Sequence, residues 1–233
     1  MMGKQIQVSR WHRCLKYLLR LILLPFLRME TQDMDALKPD GALIIYFNHT
    51  NWVDPLVAAA VFDRDVVLLG KHELFRNPIV RLVLQAYGVI PVRRQDSDLR
   101  AFRQALAVLQ RGQALVVAPE GTRSHTGTLQ QAKAGLVHLA LRSQALIQPV
   151  AILGCRAIRT NLPRLKRTTV LVKVGKAYRP RPARTRPSHE EMRRLTDEAM
   201  CRLAALMPPE LRGVYGDAGK GATPYVAHWA ANP

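Results

Sequence analysis

The feature that most limits the folds open to this chain is a regular alternation of short apolar runs with amphipathic stretches. Several of the runs are apolar throughout, which is typical of parallel strands that are buried on both faces of a sheet. The predicted strands are ALIIYF (42–47), VVLL (66–69), VIPV (89–92), ALVVA (114–118), QPVAI (148–152) and VLVKV (170–174). This order of elements predicts an α/β layer fold.

Helical periodicity fills the stretches between and after these runs. Three of the expected helix starts carry the signals Asp54-Pro55, Asn77-Pro78 and Ser97. The predicted helices cover residues 55–62, 78–87, 98–110, 131–142 and 189–206. Their placement between the strands supports the same fold class.

Composition limits the size of the core and the kind of partner. With 35 Lys and Arg against 17 Asp and Glu, the 233-residue chain has a formal charge of +18, which favours an anionic partner. A hydrophobic fraction of 48% is enough for one well-packed core with short appendages. Cys14, Cys155 and Cys201 are odd in number and far apart, so we expect neither a disulfide framework nor a zinc site. A reducing, cytoplasm-facing location fits best.

The only strongly apolar stretch, residues 10–29, is predicted to be an amphipathic helix at a membrane interface. Its longest uninterrupted apolar run has seven residues, whereas a spanning helix needs about 20. Cations at helical spacing are expected to meet anionic headgroups while apolar side chains on other faces enter the acyl boundary. These cations are Arg10, Arg13, Lys16 and Arg20. The alternative is a basic amphipathic helix docked on the protein's own core.

The chain is predicted to have three segments: a membrane-interfacial helical segment at 1–30, a globular domain at 31–207 and an irregular tail at 208–233. The tail is rich in Gly, Ala and Pro and has no periodicity. Within the domain, residues 156–188 contain eleven Lys or Arg residues and no acid. That segment is predicted to form a basic surface.

Polar motifs follow three of the predicted strands, where α/β sheets usually hold their sites. Residues 48–54 (NHTNWVD) follow the first strand, Arg93 and Arg94 follow the third, and residues 119–124 (PEGTRS) follow the fourth. Together they predict a pocket with one base, one carboxylate partner and several cations.

His49 is the candidate general base, because a histidine side chain titrates near pH 6.5 and contributes about 10²–10⁴-fold to rate in that role. Asp54 lies five positions later, where its carboxylate could bond one ring nitrogen and stabilise the imidazolium. Two alternatives stay open. Asp54 followed by Pro55 is also an ordinary helix start, and His49 could be a structural histidine.

Arg94, Arg123 and Lys133 are the cations placed to recognise a phosphate group. The alternative for each is a solvated basic face, which is common in so basic a chain. Glu120 is expected either to position Arg123 through a salt bridge or to bind substrate hydroxyls, and Gly121 would let the backbone approach a ligand closely.

NHTNWVD, GVIPVRR, PEGTRS and QPVAI, in this order, resemble the four sequence blocks of the glycerolipid acyltransferase family. The best-known members of that family are the 1-acylglycerol-3-phosphate (lysophosphatidic acid) acyltransferases. The resemblance covers most of residues 30–207 and implies an α/β fold with a twisted, mostly parallel sheet covered by helices. One departure is Pro91-Val92-Arg93, where members often carry a bulky apolar residue and an acid.

The resemblance also implies roles for individual residues. His49 and Asp54 would be the catalytic dyad. The residues implied to bind the glycerol phosphate are Arg94, Glu120, Gly121, Thr122 and Arg123, with Lys133 as a further phosphate contact.

The implied reaction transfers a fatty acyl chain from acyl-CoA or acyl carrier protein to the free hydroxyl of 1-acylglycerol-3-phosphate, giving phosphatidic acid. No acyl-enzyme, metal or cofactor is expected. The expected partners are the lysophospholipid, the acyl donor and an anionic membrane surface, with the protein peripheral or monotopic on the cytoplasmic face. The alternatives are an acyltransferase for another lysolipid or glycerol 3-phosphate, and a non-catalytic protein that binds anionic membranes. Nucleic acid is not expected as a partner, because aromatic residues make up only 6% of the chain.

Overall fold

A computed structural model describes residues 10–38, 40–93 and 98–216, with the side chains from residue 12 onward. Its centre is a seven-stranded sheet in the order β1-β7-β6-β2-β5-β3-β4. The strands are β1 (Leu27–Gln32), β2 (Leu43–Phe47), β3 (Val66–Lys71), β4 (Ile90–Val92), β5 (Ala114–Val117), β6 (Leu146–Leu153) and β7 (Thr168–Val174). The helices are α1 (Arg10–Leu23), α2 (Asp54–Val61), α3 (Pro78–Tyr87), α4 (Leu99–Gln110), α5 (Gly135–Ser143), α6 (Ile158–Asn161) and α7 (His189–Ala205).

The predicted fold class is confirmed, and all six predicted strands are present. Strands β2 to β6 run parallel to one another, whereas β7 is antiparallel to β6. The sequence analysis missed β1, because LRMETQ lacks an apolar run. Its pairing with β7 makes it a strand, so residues 27–30 belong to the sheet rather than to a separate N-terminal segment.

Helices cover the sheet on both faces. Helices α1, α2 and α3 pack over one face, and α4, α5 and α7 pack over the other. The central strand β2 is buried along its whole length, because its alternate side chains point into the two apolar layers. The carboxyl ends of the five parallel strands therefore form one edge of the sheet, called the carboxyl edge below.

The charged side chains of helix α1 are not all oriented as predicted. Lys16 is buried, and Arg20 donates hydrogen bonds to the carbonyl of Ala60 and the carboxylate of Asp63. Only Arg13 of the four predicted cations is seen exposed, and the side chain of Arg10 lies outside the described residues. The prediction that these cations share one outward stripe is therefore wrong for Lys16 and Arg20.

The face of α1 that points away from the protein is instead apolar. Its exposed large side chains are Tyr17, Leu18, Leu21 and Ile22. Within the described part of the chain, no helix has both the length and the apolar content to cross a bilayer.

The first residues of the predicted irregular tail pack on the domain. Pro209–Leu211 and Gly213–Tyr215 form two short 3₁₀ helices, and the hydroxyl of buried Tyr215 accepts a hydrogen bond from the backbone N–H of Ala132. The N–H of Leu129 donates to the carbonyl of Leu211 at 3.0 Å. The tail beyond residue 216 lies outside the described residues.

His12 links α1 to the last residue of α3, Tyr87, through a hydrogen bond and a ring contact. Its Nδ1 lies 2.9 Å from the carbonyl oxygen of Tyr87, and the two rings stack with centroids 4.2 Å apart. Burial lowers the pKa of His12, although the Tyr87 carbonyl and Asp65 act in the opposite direction. The imidazole is therefore neutral in the folded protein at neutral pH and donates from Nδ1.

We expect this buried histidine to make folding sensitive to acid. Below about pH 6.5 the unfolded chain protonates His12 and the folded chain does not, so stability falls as pH falls, by at most about 1.4 kcal/mol per pH unit. Replacing the side chain by His12→Asn should weaken this dependence, and urea unfolding at pH 7.5 and 5.5 measures it. Equal pH dependence in the wild type and the variant would contradict the assignment.

Candidate active site

The first and third motifs meet because their strands are neighbours. Strands β2 and β5 pair in parallel, so the residues that follow them leave the carboxyl edge side by side. The backbone N–H of His49 donates to Oε1 of Glu120 at 2.9 Å, and the N–H of Ser124 donates to the carbonyl of His49 at 2.7 Å. The third motif, residues 119–124, thus hydrogen-bonds both the N–H and the carbonyl group of His49.

Asn48 fixes the same loop from the other side. Its Nδ2 donates to the carbonyl of Ile152 at 2.8 Å, and the N–H of Ile152 donates back to Oδ1 at 2.8 Å. Strand β6, which carries Ile152, is the other neighbour of β2. The loop at residues 48–53, called the histidine loop below, is therefore hydrogen-bonded to β6 on one side and to the residues that follow β5 on the other.

His49 and Asp54 form the predicted pair. Nδ1 of His49 lies 3.2 Å from Oδ2 of Asp54, and both side chains are buried. The same Oδ2 accepts the backbone N–H groups of Thr50 and Asn51, each at 2.6 Å. Since a carboxylate accepts and cannot donate, Nδ1 carries the proton.

This geometry settles how Asp54 is used at the start of α2. Asp54 is the first residue of the helix, and its side chain bonds the loop before the helix rather than the N–H groups of the first turn. The alternative of a helix-capping aspartate is therefore not what the structure shows. The five-residue spacing between His49 and Asp54 lets the His49 ring and the N–H groups of Thr50 and Asn51 all reach the same oxygen, Oδ2 of Asp54.

Nε2 is the ring nitrogen left for chemistry. Among the described residues, Asp54 alone hydrogen-bonds the His49 ring, and that bond uses Nδ1. The edge of the ring packs against Phe47, with centroids 5.8 Å apart. A ring whose Nδ1 is held by a buried carboxylate and whose Nε2 is unbonded can serve as a general base.

Glu120 acts on the backbone rather than on a cation. Its Oε1 accepts the N–H of His49 and its Oε2 accepts the N–H of Gln130 at 3.0 Å. Burial raises the pKa of the Glu120 carboxyl, and the two N–H groups oppose that shift. Within the described structure it makes no salt bridge to Arg123, so the predicted salt-bridge role is wrong for this conformation.

The other predicted binding residues surround an exposed turn. Gly121 has a φ of 72°, and a Cβ there would lie 3.2 Å from Cε of Lys133, so a side chain would crowd that lysine. Thr122, Arg123 and Lys133 are exposed. The structure thus brings Gly121 and Lys133 together, while Arg94 lies outside the described residues.

A cavity of about 720 Å³ opens beside this turn. Apolar side chains of α4 and α5 line it, among them Phe102, Ala105, Leu136 and Leu139. Its lining also includes Gly121 and the exposed cations Arg93, Lys133 and Arg142. Sequence reasoning missed Arg142, because its last-turn position in α5 carries no motif.

Cys155 is a buried neighbour of the dyad that sequence reasoning also missed. Its carbonyl accepts a hydrogen bond from Nδ2 of Asn51 at 2.9 Å. Burial, and then the Asp54 carboxylate beside it, raise the pKa of the Cys155 thiol. The thiol therefore stays protonated and is a poor nucleophile.

The comparison with known proteins agrees with this architecture. Residues 28–153 match the family model described as Acyltransferase. Because this match spans more than half of the chain, the protein belongs to the acyltransferase family.

Two curated relatives share part of the sequence. A 1-acyl-sn-glycerol-3-phosphate acyltransferase of Borreliella burgdorferi is 37% identical over 112 residues, 47% of this chain and 45% of the relative. A lyso-ornithine lipid O-acyltransferase of Pseudomonas aeruginosa is 34% identical over 116 residues, 49% of this chain and 44% of the relative. This chain thus spans less than half the length of either relative.

A solved structure shares the fold. The 1-acyl-sn-glycerophosphate (LPA) acyltransferase PlsC from Thermotoga maritima superposes with a TM-score of 0.67 and 20% identity, over 88% of this chain and 82% of that one. At that identity the likeness shows the fold alone.

We expect Asp54→Ala to lower the free energy of unfolding by about 2–4 kcal/mol, because it leaves the N–H groups of Thr50 and Asn51 without their acceptor. Asp54→Asn keeps an oxygen acceptor and should cost much less. Urea unfolding of both variants measures the difference. Asn77, an ordinary cap that accepts the N–H groups of Ile79 and Val80, is the matched control: Asn77→Ala should cost only about 0.5–2 kcal/mol. Equal losses for Asp54→Ala and Asp54→Asn would contradict the bonding described here.

Proposed function

We propose that this protein transfers a fatty acyl chain from acyl-CoA or acyl carrier protein to the free hydroxyl of 1-acylglycerol-3-phosphate. The observation that carries the proposal is Nε2 of His49, left free at the carboxyl edge while Nδ1 is held by buried Asp54. The names of the two relatives described above support the reaction class, since both are acyltransferases that act on lysolipids.

The proposed mechanism needs one base and one electrostatic partner. Nε2 of His49 removes the proton from the acceptor hydroxyl as its oxygen attacks the thioester carbonyl. Asp54 holds the ring and stabilises the imidazolium that forms. Collapse of the tetrahedral intermediate expels the thiolate, which takes the proton back from His49. The proton taken from the acceptor hydroxyl thus ends on the thiol that leaves.

The oxyanion of that intermediate needs hydrogen-bond donors. In the third motif, the N–H groups of Gly121 and Ser124 are already bonded to the carbonyls of Ala118 and His49. The N–H groups of Thr122 and Arg123 have no partner among the described residues. These two amides are the proposed donors.

Charge and apolar surface around the cavity fit the two substrates. Arg123, Lys133 and Arg142 are exposed cations close to the Gly121 turn or the cavity, and a phosphate monoester is the group that such cations bind. The apolar side chains of α4 and α5 offer a surface for an acyl chain. Arg94 belongs to the same proposal on sequence grounds.

The acceptor is an amphiphile that resides in a bilayer, so the proposal includes peripheral or monotopic attachment to the cytoplasmic face of an anionic membrane. The outward apolar face of α1 supports this attachment. Since Lys16 and Arg20 turn inward, the helix would bind mainly through Tyr17, Leu18, Leu21 and Ile22 rather than through its charges.

A second acceptor is supported by a specific comparison. The relative from Pseudomonas aeruginosa is named for a lyso-ornithine lipid, an acceptor without a phosphate group, and its identity of 34% is close to the 37% of the phosphate-accepting relative. The cations beside Gly121 favour the phosphate-bearing acceptor.

The deciding test is acyl transfer in mixed micelles of lysophosphatidic acid with palmitoyl-CoA, following free thiol and diacyl product by mass spectrometry. His49→Ala should lower the rate by at least about 10²-fold, and Asp54→Asn by a comparable factor, because each removes part of the base. His189→Ala is the matched control, since His189 is an exposed histidine at the start of α7, away from the cavity lining. A folded wild type that forms no product with any lysolipid or donor would overturn the proposal.

The acceptor phosphate is tested at Lys133. We expect Lys133→Gln to raise KM for lysophosphatidic acid about tenfold, which corresponds to one charged hydrogen bond of about 1.4 kcal/mol, and to leave KM for lyso-ornithine lipid almost unchanged. Lys176→Gln, at an exposed lysine beyond β7, is the control. An equal rise in KM for both acceptors would show that Lys133 does not bind the phosphate group.

A further inference from the structure

The connection between β6 and β7 carries two exposed leucines in a strongly basic setting. This connection, residues 154–167, is called the Leu165 loop here. Leu165 is 92% exposed and Leu162 is 42% exposed. Between residues 156 and 167 there are five Lys or Arg residues and no acid, and all five are exposed: Arg156, Arg159, Arg164, Lys166 and Arg167.

The backbone of Leu165 is unusual for its residue type. It has a φ of 52°, in the left-handed region, where it ends the 3₁₀ helix Leu162–Arg164. A glycine or an asparagine commonly holds such a position, because a Cβ costs about 1 kcal/mol there. Leucine at this position is therefore both strained and exposed to water, and folding gives no reason for it.

The Leu165 loop is hydrogen-bonded to the segment that joins α1 to β1. Arg167 donates hydrogen bonds to the carbonyls of Leu24 and Leu27, at 2.9 and 3.0 Å. The N–H of Thr168, where β7 starts, donates to the carbonyl of Phe26 at 2.8 Å. Since Leu24 and Phe26 are themselves exposed, the loop continues the apolar surface that begins on α1.

The same loop borders the candidate active site. It leaves β6 at the carboxyl edge, and its residue Cys155 accepts the hydrogen bond from Asn51 of the histidine loop. Exposed Trp52 lies beside Asn51 in the chain. The surface from α1 through the Leu165 loop therefore lies at the edge of the sheet that holds His49.

We propose that the Leu165 loop is a second membrane contact, in which Leu162 and Leu165 enter the acyl boundary and the neighbouring cations bind anionic lipid headgroups. Exposed apolar side chains surrounded by Lys and Arg suit the surface of an anionic bilayer, where the charged headgroups lie above the acyl chains. The loop and α1 together place the carboxyl edge against the leaflet that contains the acceptor. This inference rests on the proposed function for its purpose, but its binding test is independent of catalysis.

The basic segment 156–188 thus divides into two halves with different positions. After β7 the chain runs back along β6, where Tyr178 pairs with Ile147 near the amino end of that strand. Arg184 and Arg186 follow this stretch in the chain, ahead of α7. They are exposed cations from the same segment and serve as matched controls.

The test is sedimentation of the full chain with vesicles of phosphatidylcholine, with or without phosphatidylglycerol. Leu165→Asp should weaken binding to the anionic vesicles about tenfold or more. Leu165→Gly should weaken it as well while leaving the urea midpoint unchanged or higher, because glycine relieves the left-handed strain. The pair Arg164→Gln/Lys166→Gln should lower binding to anionic vesicles about tenfold and change binding to pure phosphatidylcholine little. Arg184→Gln/Arg186→Gln should bind like the wild type.

Two results would overturn the inference. One is wild-type vesicle binding by Leu165→Gly and by Arg164→Gln/Lys166→Gln, while Leu21→Asp on α1 abolishes binding. The other is that these loop variants bind vesicles like the wild type but no longer bind purified acyl carrier protein, which would make the loop a carrier-protein site. Acyl transfer to a short-chain, water-soluble acceptor separates the two proposals: if the wild type binds vesicles through the loop but transfers nothing, the proposed function fails and the membrane contact stands.

Discussion

The buried carboxylate of Glu120 is the interaction on which the candidate site depends. It accepts one N–H from the loop after β2 and one from the stretch after β5, so a single side chain joins the two motifs. Because Glu120 is almost fully buried, both N–H groups would lack an acceptor without it, and each unpaired group costs about 1–3 kcal/mol. The position of His49, and through it the bond to Asp54, follows from this arrangement.

A second constraint decides which side chains α1 leaves exposed. Lys16 and Arg20 of α1 are used internally, and the side chains left outside are large and apolar. The described part of the chain therefore presents apolar residues at α1 and the Leu165 loop within a protein of net charge +18. Exposed apolar surface beside cations is stable where water meets an anionic bilayer, and costly elsewhere.

Most of the fold could be predicted from periodicity, because fully buried strands such as β2 must be apolar along their whole length. Strand β1 could not, since LRMETQ becomes a strand only through its pairing with β7. The dyad followed from spacing and from the family resemblance. The role of Glu120 could not be read in advance, because a carboxylate among arginines suggests a salt bridge, whereas here it bonds two backbone N–H groups.

The sequence by itself determined the α/β class, the order of strands β2 to β7 along the chain and the motif residues His49, Asp54 and Gly121, because burial patterns and chemical groups are local properties. Tertiary structure alone decided which of these residues meet and which way they face. It placed Lys133 over Gly121, turned Lys16 and Arg20 of α1 inward and set Arg167 of the Leu165 loop against the end of α1. These outcomes depend on strand order and helix orientation, which arise from contacts between segments far apart in the chain.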